Sequence, residues 1–86
     1  MQPDQFIALG NLGDVSLQMG RLEKARDALI KAGRINPNDS KLHALLGQVC
    51  LRLNRRDEAL SELEILKLLD PAKAKELSMS LNQSLD

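Results

Sequence analysis

The chain has 86 residues, of which 43% are hydrophobic and 28% charged, and its 12 basic and 12 acidic side chains cancel. This composition is typical of one soluble globular domain and excludes a disordered chain. Balanced charge argues against nucleic acid as a partner, because phosphate binding needs clustered positive charge. The sequence has one cysteine, so it cannot form an intramolecular disulfide, and it has no apolar run of membrane-spanning length. With no signal pattern either, we expect a cytoplasmic location.

The first two predicted helices span residues 6–19 and 22–35 and form an antiparallel hairpin. Each carries apolar residues at helical spacing. They are Leu9, Leu12, Val15 and Met19 in the first helix, and Leu22, Ala25, Leu29 and Ala32 in the second. Gly20 stands where a C-cap glycine ends a helix, and Pro37 ends the second helix.

The same pattern then starts again, with capping side chains at residues 38–40. The third helix carries a wide apolar stripe, and the fourth helix is predicted to turn a similar stripe inward before Asp70. The stripes are Leu42, Leu45, Leu46, Val49, Cys50 and Leu53 in the third helix, and Ala59, Leu60, Leu63, Leu66 and Leu69 in the fourth. These two helices predict a second hairpin.

A fifth helix is predicted with Asp70 as its N-cap and Pro71 in its first turn. Its apolar stripe is narrow, and the remainder of its surface is polar. The stripe is Ala74, Leu77, Leu81 and Leu85. We expect this helix to cap the C-terminal end of the two hairpins.

The two hairpins repeat each other at a shift of 34 residues. Eight residues recur where composition alone predicts roughly two or three. Leu12, Gly13, Val15, Leu17, Arg21, Ala25, Leu29 and Pro37 reappear as Leu46, Gly47, Val49, Leu51, Arg55, Ala59, Leu63 and Pro71. The chain is therefore predicted to be an all-α solenoid of two hairpins and a capping helix.

These positions resemble the tetratricopeptide repeat family, whose unit is a 34-residue helical hairpin. The resemblance covers essentially all of the single domain at residues 1–86, with repeats at 6–39 and 40–73 and a cap at 74–86. We expect Gly13 and Gly47 to lie where the first helix of a hairpin presses on the second, with Ala25 and Ala59 opposite them. The family usually has aromatic residues near Leu9, Ser16, His43 and Cys50, whereas Phe6 is the one aromatic residue of this chain.

The resemblance implies that the first helix of each repeat lines a concave groove for a peptide or helix of a partner protein. Thirteen residues map onto this groove, and their spacing places each set on one helical face. They are Ile7, Gly10, Asp14, Leu17 and Gln18 in the first repeat, Lys41, Ala44, Gln48, Leu51 and Arg52 in the second, and Lys75, Ser78 and Asn82 on the cap. Their mixed chemistry predicts a ligand with an apolar anchor and acidic flanks.

Two features of this groove set qualify the resemblance. One subset of the family clamps a C-terminal carboxylate with a lysine and an asparagine, and Gly10 and Asp14 occupy those positions here, so we expect no such clamp. Leu17 and Leu51 fit two interpretations, a role in the groove or simple surface exposure.

No catalytic constellation, metal set or cofactor motif is found in the sequence. His43 lacks a second ligand at metal-binding spacing and is expected to pack inside the helical array, as is Cys50. The chain is therefore predicted to be a protein-interaction module and not an enzyme. The alternative is structural self-assembly, as a homo-oligomer or as the terminal segment of a longer array, because two repeats are fewer than the three that such arrays usually need.

Overall fold

The computed structural model describes residues 2–83, and the side chains of residues 5–83. It has the predicted all-α fold, with five helices and no strand in that part of the chain. The helices are α1 (Gln2–Gln18), α2 (Leu22–Ile35), α3 (Ser40–Arg52), α4 (Arg56–Leu69) and α5 (Pro71–Gln83). Leu85, the last residue of the predicted cap stripe, lies outside the described residues.

Both hairpins turn through the same backbone motif. Gly20 has a φ of 80°, and Asn54, 34 residues later, has a φ of 64°. After α1, Arg21 N–H donates to the Ser16 carbonyl at 2.8 Å and Gly20 N–H to the Leu17 carbonyl at 3.0 Å. Arg55, Asn54 and the corresponding carbonyls repeat this arrangement after α3. These are Schellman caps, which fix the angle at which the second helix leaves the first.

Two aspartates cap the helices that begin the second repeat and the C-terminal cap. The Asp39 carboxylate accepts from Leu42 N–H at 2.9 Å, at the start of α3. The Asp70 carboxylate accepts from Lys73 N–H at 3.3 Å, which confirms the predicted N-cap of α5. Each aspartate satisfies a backbone donor that has no partner within its own helix.

The apolar core consists of two clusters on either side of α3. The first is formed by α1, α2 and α3, and buries Leu29, Ala32 and Val49 completely. The second is formed by α3, α4 and α5, and buries Leu66 and Leu77. Leu46 of α3 packs against both clusters, so α3 is the helix around which the two halves of the molecule are assembled.

The predicted apolar stripe of α1 is wrong in three of its four positions. Leu12, Val15 and Met19 are 41%, 54% and 60% exposed. The buried face of α1 instead carries Gly13, Ser16 and Leu17. The three exposed residues do have helical spacing, but α1 is the first of the described helices and no other described helix covers that side. Leu60 and Leu69 of α4, also predicted to point inward, are exposed as well.

The two repeat glycines lie at close helix contacts, and the side chain nearest to each is a leucine. A methyl group at Gly13 would lie 2.5 Å from Cγ of Leu29 in α2. At Gly47 it would lie 2.6 Å from Cδ2 of Leu77 in α5. That Ala25 and Ala59 lie opposite the glycines stays a prediction; both alanines are fully buried. The leucine side chains pack directly against the glycines. Such close packing is possible only because the facing residue has no side chain.

We expect Gly13→Ala to lower the free energy of unfolding by about 1 to 3 kcal/mol, because Leu29 is fully buried and cannot move aside. Gly10→Ala is the matched control, since a methyl group there meets nothing within 4 Å. This change should stabilise α1 by about 0.5 to 1 kcal/mol through helix propensity. Urea unfolding followed by circular dichroism measures both. Equal effects of the two substitutions would contradict the close contact at Gly13.

The contact between the hairpins, hereafter the inter-hairpin seam, joins α2 to α3 and α4. Its polar edge is an ion pair in which Nη2 of Arg26 lies 2.7 Å from Oε1 of Glu58. Arg55 donates to the other oxygen of Glu58 at 3.1 Å. Both hydrogen bonds lower the pKa of the Glu58 carboxyl, and the one from Arg26 has the larger effect. The buried Cys50 thiol lies beside Glu58, and burial raises its pKa, as is typical of an unreactive core thiol.

This ion pair predicts a stability that depends on pH. Because the pKa of Glu58 is lower in the folded state than in the unfolded state, the pair stabilises the fold above the unfolded value of about 4.3 and is lost as the pH falls below it. Glu58→Gln should therefore lower the melting temperature at about pH 7 and have less effect at about pH 3. Glu64→Gln is the control, since Glu64 is 70% exposed and, among residues 5–83, forms its ion pair with Lys67 of its own helix. A Glu58→Gln effect that is the same at both pH values would contradict this account.

Candidate functional site

The candidate groove is lined by the first helices of the two hairpins, α1 and α3. Ile7, Gln18, Lys41 and Arg52 are exposed along these helices, and Gly10, Asp14, Ala44, Gln48 and Leu51 are partly exposed. The Gln18 amide donates to the Asp14 carboxylate at 3.0 Å, which ties two predicted groove residues together on α1. Nine of the thirteen predicted residues thus lie on accessible surface of α1 and α3.

A hollow of about 160 Å³ lies between the N-terminal halves of α1 and α3. Two predicted groove residues line it, Gly10 and Lys41. Its other walls come from residues that the sequence did not single out as ligand contacts. They are Phe6, Asn11, Leu29, Asp39, Leu42 and Leu45. The hollow exists because Gly10 has no side chain to fill it, and nothing lies within 4 Å of the position that its Cβ would take.

The hollow combines apolar walls with a basic rim. Phe6 and Leu45, both partly exposed, provide hydrocarbon surface, and the exposed Lys41 also lines the hollow. Asp39 also lines the hollow, but its carboxylate already accepts from Leu42 N–H. Within residues 5–83, Lys41 has no carboxylate at ion-pair distance. The amino group of Lys41 is therefore available to a negatively charged group of a ligand.

Leu17 and Leu51 are not the exposed leucines that one interpretation expected. Leu17 is 7% exposed and belongs to the core cluster of α1, α2 and α3. Leu51 is half-buried and packs against the other cluster. Leu17 faces the core because the face of α1 that meets α2 is rotated from the predicted stripe. It therefore offers a ligand little surface, whereas Leu51 keeps part of its side chain accessible.

The three predicted groove residues on the cap helix are separated from those on α3. Lys75 and Ser78 line a second hollow, between α4 and α5, together with Leu63 and Lys67 of α4. The cap residue that meets the groove is Ser80, whose hydroxyl accepts from the Gln48 amide at 3.3 Å. Asn82 lies on the same side of α5 as Ser78, one helical turn later, and is exposed. α5 is turned this way because Ala74, Leu77 and Leu81 face the core.

His43 is a structural residue of the hairpin, as the sequence predicts. It is 8% exposed, and its Nδ1 lies 2.6 Å from Oε1 of Glu62 in α4. Its Nε2 lies 2.6 Å from the carbonyl oxygen of Pro37, in the turn before α3. Both ring nitrogens of His43 lie within hydrogen-bond distance of an oxygen. His43 thus joins α3 to α4 and to the α2–α3 turn where the family usually has an aromatic residue.

The hairpin geometry and the repeat positions agree with a family model for the tetratricopeptide repeat, which matches residues 1–49 and again residues 17–79. The chain belongs to the tetratricopeptide repeat family. Tetratricopeptide repeats are protein-interaction modules, and the fold is a non-catalytic one. No curated protein and no solved structure matches the chain.

Two further observations describe the chemistry available to this tetratricopeptide repeat domain. In the part of the chain that the structure describes, no three His, Cys, Asp or Glu side chains come together as a metal site. None of the helices within residues 2–83 is long and apolar enough to cross a membrane. What these residues present is the surface of α1 and α3, with one hollow between the two helices.

Proposed function

We propose that the chain binds a peptide or helix of a partner protein across α1 and α3, with one apolar side chain of the partner in the hollow beside Gly10. The observation that carries this proposal is the hollow itself, at the junction of the two helices that line a groove in this family. A cavity of about 150 Å³ with apolar walls accommodates a molecule of benzene. A hollow of about 160 Å³ therefore suits one leucine or phenylalanine side chain.

Charge gives the ligand its second property. Lys41 lies at the opening of the hollow and Arg52 lies at the far end of α3, both exposed. Since both belong to one helix, a ligand that follows α3 meets positive charge at each end of its path. Acidic residues on either side of the apolar anchor complement this arrangement. On α1, Asp14 accepts a hydrogen bond from the Gln18 amide, and these two residues form the polar part of the groove on that helix.

Short synthetic peptides test this function directly. The peptides carry one leucine or phenylalanine among glutamate and serine residues, and calorimetry measures their affinity. We expect Gly10→Leu to weaken binding roughly tenfold to hundredfold, because the new side chain fills the hollow and displaces an anchor whose burial stabilises the complex by about 1.5 to 3 kcal/mol. Lys41→Glu should also weaken binding, most strongly at low salt.

Lys31→Glu is the matched control for Lys41→Glu. Lys31 is exposed on α2 and is not one of the predicted groove residues, and the substitution makes the same change in net charge. Binding that survives Gly10→Leu, or that Lys31→Glu weakens as much as Lys41→Glu does, would contradict the proposal. Replacing the anchor of the peptide with alanine should reproduce the loss caused by Gly10→Leu.

A further inference from the structure

The outer face of α1, formed by Leu12, Val15 and Met19, has an exact counterpart inside the molecule. The residues 34 positions later are Leu46, Val49 and Leu53 on α3. Those three residues pack into the core cluster that α3 shares with α1 and α2. The outer face of α1 therefore repeats, residue for residue, the face that α3 uses to join the preceding hairpin.

The two faces differ in solvent exposure, as one pair of equivalent valines shows. Val49 is 0% exposed, whereas Val15 is 54% exposed. Val49 is covered because α2 lies against α3, while within residues 2–83 no helix lies against the outer face of α1. An exposed row of three large apolar residues is unusual for a surface helix and marks an interaction site.

The inter-hairpin seam shows what kind of helix fits such a face. α2 contributes Leu29 and Ala32 to the shared cluster, and its Gly33 lies beside Leu42. A methyl group at Gly33 would lie 3.3 Å from Cδ2 of Leu42, so the two helices are in close contact there. A covering helix thus needs a face of small residues with one leucine.

Charge distinguishes the outer face from the seam. In the seam, Arg26 of α2 pairs with Glu58 at 2.7 Å. The residue equivalent to Glu58 beside the outer face is Lys24, 34 positions earlier, and it is exposed. A helix that covers the outer face as α2 covers α3 therefore meets a cation where α2 meets a carboxylate. The residue that corresponds to Arg26 in that helix has to be acidic.

We propose that the outer face of α1, together with Lys24, binds an α-helix of another protein that has an alanine- and leucine-lined face and a carboxylate that pairs with Lys24. A second copy of this chain does not supply that helix. Its α2 is already covered by α3 and would bring Arg26 against Lys24, and its α4 carries Leu60 at the corresponding position. This surface is separate from the hollow beside Gly10.

A helical peptide copied from the chain itself is the probe. It comprises residues 21–36 with Arg26→Glu, and a cross-link in place of Asp27 and Lys31 on its solvent side holds it as a helix. The unaltered Arg26 version is the charge control. Methyl NMR of the full chain follows Leu12 and Val15 during titration with each peptide. We expect saturable shifts at these methyl groups, and binding about threefold tighter for the Glu peptide, the size of effect that an exposed ion pair gives.

Variants of the protein complete the test. Val15→Asp should abolish the shifts, and since Val15 is exposed the fold should persist, as circular dichroism checks. Lys24→Glu should reverse the preference between the two peptides, whereas Lys41→Glu, which disables only the proposed groove, should leave it unchanged. A preference that Lys24→Glu does not alter overturns the proposal, as does the absence of shifts at Leu12 and Val15. Self-association of the chain that Val15→Asp abolishes also overturns it, because the occupant is then a second copy.

Discussion

The structure depends on the double packing of α3. This helix presents one face to α2 through Val49 and another to α4 and α5 through Cys50 and Gly47, and both faces are buried. Neither hairpin could bury its apolar residues alone, because in each the core cluster is completed by a helix outside it. The first hairpin needs α3, and the second needs α5. A fold of this kind is stabilised by contacts between neighbouring units.

Polar side chains add specific contacts between helices to this apolar packing. His43 connects α3 to α4 and to the carbonyl of Pro37, and Arg26 connects the first hairpin to Glu58 in the second. Each of these interactions joins groups on different helices.

Helix number, hairpin pairing and both aspartate caps were predictable because each depends on local signals, such as apolar periodicity and residues with a side chain that caps a helix. The orientation of α1 was not, since Leu12, Val15 and Met19 have the spacing of a core face and only the neighbouring helices decide whether that face is covered. The left-handed backbone conformation of Asn54 could not be predicted from its residue type either. Its position 34 residues after Gly20 could have indicated it. The groove residues stay a prediction: nine of them lie on accessible surface of α1 and α3, whereas Lys75 and Ser78 of α5 line the hollow between α4 and α5.

The unequal ends of the molecule bear on how it behaves at high concentration. A repeat chain whose last helix could receive its own first helix would add copies head to tail, and such a contact does not close, so it produces filaments. Here the C-terminal end is covered by α5, whose outward residues include Lys75 and Glu76. At the other end Lys24 stands where a self-complementary stack would need an acidic residue. The repeat thus contains the geometry of a head-to-tail contact, and Lys24 and the helix α5 are the features at the two described ends that do not match such a contact.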